Sequence, residues 1–385
     1  MDRLAVDGGE PVRRGALTPR QPFPPDAVRL ATEAIQSGSL FGVGGPLTRR
    51  FESEFAAYYG ARHAVTVSSG TAAIHTALAA ANPEPGAEVI TAPITDAGSV
   101  LPILYQGCVP VFADVADHLG MAVEAVEACV TPRTAAIIAV HPFGGATDVR
   151  ALRDLADRHG ITLIEDCSQA HGTRFHGEFL GRYGHIGVYS LQQSKHMTAG
   201  EGGVCVTDDD ELAARMRLFS DKGWDRAGAG ARGYPRLGLN YRASELVAAV
   251  TLPQLSALDA VLAGRRRLAA LLDVAVDKAP GVTRWQPLTG CDASYWCYPF
   301  FVPGDVTRWA DALAAEGVPT TPGYIGKPIY ECMAALADAY PPGLCPRATD
   351  ALTRLMIFWL HENLTEDEIA DVGAAIIKVA NALVD

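Results

Sequence analysis

The sequence predicts an α/β protein: a large α/β/α domain on a mainly parallel sheet, followed by a smaller C-terminal α+β domain. Three observations carry this. From about residue 60 to 207, short runs that are apolar throughout alternate with helix-patterned segments, as expected of strands covered on both faces and joined by helical crossovers. After Asn240 that rhythm gives way to a long helical pattern. The length of 385 residues exceeds one typical core, so two unequal domains are expected.

The predicted strands are HAVTVSS (63–69), EVITAP (88–93), VPVFADV (109–115), AAIIAV (135–140), ITLIED (161–166), IGVYSL (186–191) and GGVCVT (202–207). Between them, GTAAIHTALAAAN (70–82) is an alanine-rich helix. TDVRALRDLADRHG (147–160) spaces its apolar residues for a helix and closes on Gly160. Residues 243–276 read as a long helix, interrupted at Pro253, that bridges the two domains. A strand at SYWCYPFFV (294–302), a helix around WADALAAEG (309–317) and a terminal helix over 365–384 follow, the last opened by a capping box of Thr365 and Glu368. Domains are expected at 1–255 and 256–385, with segment 1–25 packing on the smaller one. The glycine- and arginine-rich loop 223–238 is the expected mobile segment.

Apolar residues make up 49% and charged residues 20%, an ordinary globular balance. The net charge of −12, from 44 acidic and 32 basic residues, disfavours nucleic acid and anionic membranes, so an anionic ligand must be held by local groups. Eight scattered cysteines, several inside apolar runs, read as buried free thiols, and none has metal-ligand spacing. The opening residues lack a signal-like apolar core, and no later run reaches ~18 uninterrupted apolar residues. The expectation is a cytoplasmic protein that binds no metal, nucleic acid or membrane.

Ligands of α/β sheets collect at the carboxyl ends of strands, which singles out four stretches. In SSGTAA, Ser69, Gly70 and Thr71 stand where a helix N-terminus can cradle a phosphate, or simply cap the helix. In LIEDCSQAHG, Glu165 and Asp166 end an apolar strand. A buried carboxylate there needs a positive partner, either a protonated ring nitrogen or a structural ion pair. In YSLQQSKHMTAGEGG, Lys195 follows a strand with few competing charges nearby, where desolvation lowers an amine's pKa and makes it a nucleophile for carbonyl chemistry. Ser190 offers a phosphate hydroxyl. In LNYRASELVAA, Asn240, Tyr241 and Arg242 precede a helix that Ser244 can cap.

Together with SGSLFGVGGPLTRRFESEFA and LHENLTEDEI, these motifs resemble the DegT/DnrJ/StrS sugar aminotransferases, within the fold-type I enzymes that use pyridoxal 5′-phosphate (PLP), over nearly the whole chain. The resemblance implies a Schiff-base role for Lys195, with proton transfer by the same amine. It implies that Asp166 faces the pyridine nitrogen, that Gln169 lies near the ring, and that Gly70, Thr71 and Ser190 contact the phosphate. Asn240 would reach the phosphate of a neighbouring subunit, implying a homodimer with shared active sites. Asp96 in TAPITDAGS occupies the place of the aromatic residue that usually covers the ring, so either another side chain covers it or Asp96 contacts substrate. Lys222 in SDKGW stands where the family often has histidine.

The implied reaction moves an amino group from glutamate or glutamine to a keto sugar or keto cyclitol in specialised-metabolite biosynthesis. LAVDGGEPVR resembles the opening of cyclitol aminotransferases. A sugar or nucleoside dehydratase or deaminase is the alternative, although the dehydratase branch replaces the lysine that is retained here. A non-catalytic PLP-binding regulator is the third reading. Tyr324 and His361 are candidates for substrate contact or for ordinary core, and Arg242 for a donor carboxylate or an intrachain salt bridge.

Overall fold

The computed structural model describes residues 3–226 and 232–384. Seven strands form one sheet: β1 (His63–Val67), β2 (Glu88–Thr91), β3 (Val109–Phe112), β4 (Thr134–Val140), β5 (Thr162–Asp166), β6 (Ile186–Ser190) and β7 (Gly203–Thr207). Their order is β1-β7-β6-β5-β4-β2-β3. Strand β7 runs antiparallel to both neighbours, and the other pairings are parallel. A parallel return needs a long crossover, usually a helix. The β6–β7 connection contains no helix, so β7 comes back antiparallel, and this connection is the stretch that holds Lys195.

Helices α1 (Pro25–Gln36), α2 (Pro46–Tyr59), α3 (Gly70–Ala81), α4 (Val149–His159) and α5 (Asp210–Ser220) accompany this sheet. Proline opens both α1 and α2, where its missing N–H has no intrahelical partner to lose. No side chain of its own caps α2. Buried Glu245, the first residue of the long helix α6 (Glu245–Val276), accepts from the N–H of Leu47 at 3.0 Å and of Thr48 at 2.8 Å. A carboxylate is favoured at that positive helix end. Ser244 sits at the N-cap of α6, but its side chain makes no capping bond.

Helix α6 continues through Pro253. Beside the proline, the Gln254 amide donates to the carbonyls of Val250 and Thr198 and accepts from the N–H of Thr198, which ties the helix to the Lys195 connection. Leu252, Leu255, Leu258 and Leu262 pack with the large sheet. Leu268, Leu272 and Val276 pack in a second core with Tyr298, Phe300, Trp309 and Ile376. The helix therefore passes from one core to the other between Leu262 and Leu268. Its length and hydropathy would allow it to cross a membrane, but its leucine stripe is taken up by these two cores.

The second core lies against an antiparallel sheet of β8 (Thr283–Arg284), β9 (Tyr298–Phe301), β10 (Thr321–Pro322) and β11 (Leu355–Phe358), ordered β8-β9-β11-β10, with α7 (Val306–Ala315) and α8 (Glu366–Leu383). The capping box of α8 forms in both directions. The N-terminal arm packs here too: Leu4 is in the second core, and Arg13 pairs with Glu368 and Asp371. The strand predicted over 294–302 is shorter than expected. Residues 294–296 are drawn away by backbone bonds from Ser294 to Gly144 and from Trp296 to Phe143, which carries Trp296 toward the large sheet. The mobility expected of loop 223–238 falls partly on residues 227–231, which lie outside the described residues.

Candidate active site

The carboxyl ends of β1, β2, β4, β5 and β6 open onto one cavity of about 460 Å³. Ser69, Gly70 and Thr71 reach it from β1, Asp96 from β2, His141 from β4, Asp166 and Gln169 from β5, and Ser190 and Lys195 from β6. Trp296, Tyr324, Ile325 and Trp359 close it from the C-terminal part of the chain.

At the β1 end, Ser69 Oγ accepts from the N–H of Ala72 at 3.0 Å and caps α3. The N–H groups of Gly70 and Thr71, in the first turn, have no intrahelical acceptor, so with the helix dipole they form an anion cradle. Gly70 is required by close approach: a Cβ there would stand 2.7 Å from Cβ and 2.8 Å from Oγ of Ser190. The cradle and the Ser190 hydroxyl therefore share one corner.

The two carboxylates ending β5 separate because successive side chains of a strand face opposite ways. Glu165 turns away and accepts from the N–H of Gly181 at 2.7 Å and of Gly184 at 2.6 Å. His141 Nδ1 accepts from the N–H of Thr147, so its Nε2–H donates to Glu165 at 3.1 Å. With Cys167 these residues bring possible metal donors within 4.8 Å of one another. Glu165 is already occupied by these three donors, and burial pushes the Cys167 thiol well above its ordinary pKa. Asp166 faces the cavity. It is 4% exposed and accepts from Ser99 Oγ at 2.8 Å and the N–H of Ser168 at 3.1 Å, yet forms no ion pair among the described residues. A buried carboxylate held by neutral hydrogen bonds is stabilised by a cationic partner.

Lys195 Nζ lies 3.9 Å from the centroid of the Trp296 ring. Burial lowers its pKa from about 10.5 to about 8, and the charges of Asp166 and Asp96 offset only part of that effect. The surrounding connection is fixed from outside the sheet. Arg20 donates to the carbonyls of Lys195 at 2.6 Å and His196 at 2.8 Å, and pairs with Glu362 at 2.9 Å. Glu362 also holds buried Arg265, which donates to the carbonyls of Tyr295, Trp296 and Leu360. Trp296 Nε1 donates to the Ser194 carbonyl at 2.9 Å and packs edge-on against Trp359. One ionic node thus positions both the lysine connection and the aromatic wall.

Gln169 accepts from the N–H of Phe143 at 2.8 Å and donates to Tyr324 Oη at 3.0 Å. Of the remaining candidates from the sequence, His361 is half-buried outside the cavity lining. Asn240 and Lys222 are exposed and also outside it. Arg242 pairs with Asp221 at 2.6 Å and lines a second cavity. The sequence reading missed Arg20, Ser99, Trp296 and Trp359. Trp296 was visible only as part of a strand, and nothing local marks Arg20, whose contacts lie 175 and 342 residues away.

These groups fit PLP. Asp166 offers an unpaired buried carboxylate for a ring nitrogen, the Ser69–Thr71 cradle with Ser190 offers neutral donors for a phosphate, and Lys195 offers an amine of lowered pKa. The profile of the DegT/DnrJ/EryC1/StrS aminotransferase family matches residues 25–377. An L-glutamine:2-deoxy-scyllo-inosose aminotransferase of Streptomyces kanamyceticus is 37% identical, with 98% of this chain and 96% of the relative covered. The aminotransferase from Psychrobacter cryohalolentis superposes with a TM-score of 0.90 at 28% identity, covering 96% of this chain and 100% of that one. S. venezuelae DesV, solved in complex with a ketimine intermediate, does so with a TM-score of 0.86 at 31% identity, covering 92% and 94%. A match that runs from α1 almost to the end of α8 and includes both walls of the cavity leaves one conclusion: the chain belongs to the DegT/DnrJ/EryC1/StrS family of PLP-dependent, fold-type I aminotransferases.

Proposed function

We propose that the protein transfers the amino group of L-glutamine, with glutamate as second donor, to a keto cyclitol in the biosynthesis of an aminocyclitol-type specialised metabolite. The observation that carries the catalytic part is the Lys195 amine, with its pKa lowered to about 8 beside the unpaired Asp166 carboxylate. The acceptor and donor are supported by the name of the Streptomyces relative.

When bound, PLP supplies an aldehyde that accepts nitrogen and a ring that draws electrons from the adjacent carbon. Lys195 would hold the cofactor's aldehyde carbon as a Schiff base, and its Nζ, neutral above about pH 8, would move a proton at the substrate carbon. Asp166 keeps the ring nitrogen protonated. Gly70, Thr71, Ser69 and Ser190 would hold the phosphate, and Gln169 would contact the ring. Trp296, against the Lys195 amine and edge-on to Trp359, gives the far wall of the cavity its aromatic surface. The donor carbon is oxidised to a ketone as the acceptor ketone is reduced to an amine, so no external oxidant is needed.

The working form is a cytoplasmic homodimer. Lys222 and Asn240 lie on adjoining backbone through the Asp221–Asn240 bridge, and Arg242, two residues on, bridges to Val67. The same part of the chain exposes Phe41, Tyr234, Leu237 and Leu239, an apolar surface suited to a second copy that would bring Asn240 to its partner's phosphate. Eight unpaired cysteines suit a reducing compartment.

The test is mass analysis after incubation with PLP, L-glutamine and scyllo-inosose or its 2-deoxy form. The expected products are the cyclitol amine and 2-oxoglutaramate in equal amounts. Loss of water or ammonia from the ring without amine gain would overturn the reading in favour of dehydratase or deaminase chemistry.

A further inference from the structure

We infer that Asp96 and Tyr324 form a hydroxyl-reading pair that selects a polyhydroxylated ring as amino acceptor. The inference rests on the aminotransferase reading and deepens it by naming the specificity residues.

The polarity of Tyr324 is fixed by a chain of bonds. The N–H of Phe143 can only donate, so the Gln169 atom it meets at 2.8 Å is the amide oxygen. The amide nitrogen therefore faces Tyr324 and donates to Oη at 3.0 Å. With that bond accepted, the phenol's own hydrogen is the donor left over, and it finds no acceptor among the described residues. Burial holds the phenol far above its ordinary pKa, so the proton stays on at any working pH. The chain is held under backbone tension at both ends: Phe143 has φ 59° and Tyr324 φ 55°, and the two rings meet edge-on at 5.2 Å. Non-glycine residues adopt such angles at a cost, which clusters at functional sites.

Asp96 is the matching acceptor. Its Oδ1 takes the N–H of Gly98 at 2.9 Å and caps the turn Ala97–Ser99, which fixes the carboxylate; no other bond to it is made among the described residues. Asp96 and Tyr324 line the same cavity as Lys195 and are close enough for the Asp96 charge to act on both. The aromatic side chains of the cavity, Trp296, Tyr324 and Trp359, come from the C-terminal part of the chain, and Asp96 gives the sheet side a polar group.

A fixed anionic acceptor beside a fixed neutral donor suits neighbouring hydroxyls of a polyol: one gives its hydrogen to Asp96 and the other accepts from Tyr324. Charge-assisted bonds of this kind are roughly twice as strong as neutral ones. A site built to bond a hydroxyl rejects an analogue that lacks it, because its own polar groups are left unpaired.

The experiment compares wild type with Asp96→Asn, Asp96→Phe and Tyr324→Phe. Calorimetry reads binding of scyllo-inositol, a non-reacting cyclitol, to the protein, and steady-state assays read KM for scyllo-inosose and for L-glutamine. Thermal unfolding verifies that each variant is folded. The inference predicts that each variant weakens inositol binding and raises acceptor KM about tenfold or more, the effect of losing one hydrogen bond of ~1.4 kcal/mol, with a smaller change in glutamine KM. Unchanged inositol binding and acceptor KM in folded variants, or a wild type that does not bind inositol, would overturn it. If wild type aminates no ketone at all, the aminotransferase reading fails on its own, and the binding comparison still decides the role of the pair.

Discussion

The cavity has two walls built on different terms. The sheet wall is a set of strand ends: Ser69–Thr71, Asp96, Asp166 and Ser190 sit where apolar strands stop, so their positions follow from the local pattern of the chain. On the opposite wall, Trp296 and the neighbour of Trp359 are held by an ionic and hydrogen-bonded node that ties Arg20 and Arg265 to Glu362 and to backbone carbonyls far apart in sequence, and Tyr324 is held by Gln169. In the proposed reaction the sheet wall supplies the groups for the chemistry. The far wall sets the environment in which Lys195 can be a neutral amine.

That contrast can be broken from either side. The largest effect is expected for Lys195→Ala, which removes the covalent holder and the proton carrier together; turnover falls by at least about 10⁴-fold in a coupled amine-release assay, with the fold intact by circular dichroism. Asp166→Asn keeps the shape of the sheet wall but removes its charge. Loss of that preorganised electrostatic partner costs about 10²–10³-fold in kcat, read together with weaker cofactor retention on dialysis. Arg20→Ala attacks the other wall and leaves Glu362 with one cation. Losing its charge-assisted bonds while Glu362 keeps Arg265 costs about 2 kcal/mol of stability in urea unfolding, and kcat falls with little change in the KM for glutamine because the lysine connection loosens.

How much was legible follows the same division. Lys195, Asp166, Ser190 and the 69–71 cradle could be read because strand ends are encoded locally by where apolar runs stop. The parallel character of the sheet was equally readable, and the antiparallel return of β7 follows from the missing helix at 191–202. The far wall was not readable. Trp296 sits in what reads as a strand, and only its tether to Phe143 turns it inward. Arg20 is one of many arginines until its partners at 195, 196 and 362 are known. The cap of α2 comes from Glu245, about two hundred residues away, a partner that no local capping rule could supply. Asn240, Lys222 and Arg242 lie outside the lining of this cavity, so their place in the chain did not reveal a site.

The central claim is that this burial makes Lys195 a reactive amine near neutral pH. It is tested most directly by competitive labelling of the cofactor-free protein with fluorodinitrobenzene across pH, reading the Lys195 peptide by mass spectrometry. Because burial disfavours the charged form, the amine is protonated and inert below the lowered pKa and becomes reactive as pH rises through it. The account predicts a midpoint near pH 8, and a higher one in Trp296→Ala, where water reaches the amine. A wild-type midpoint at the ordinary lysine value near 10.5 would contradict it.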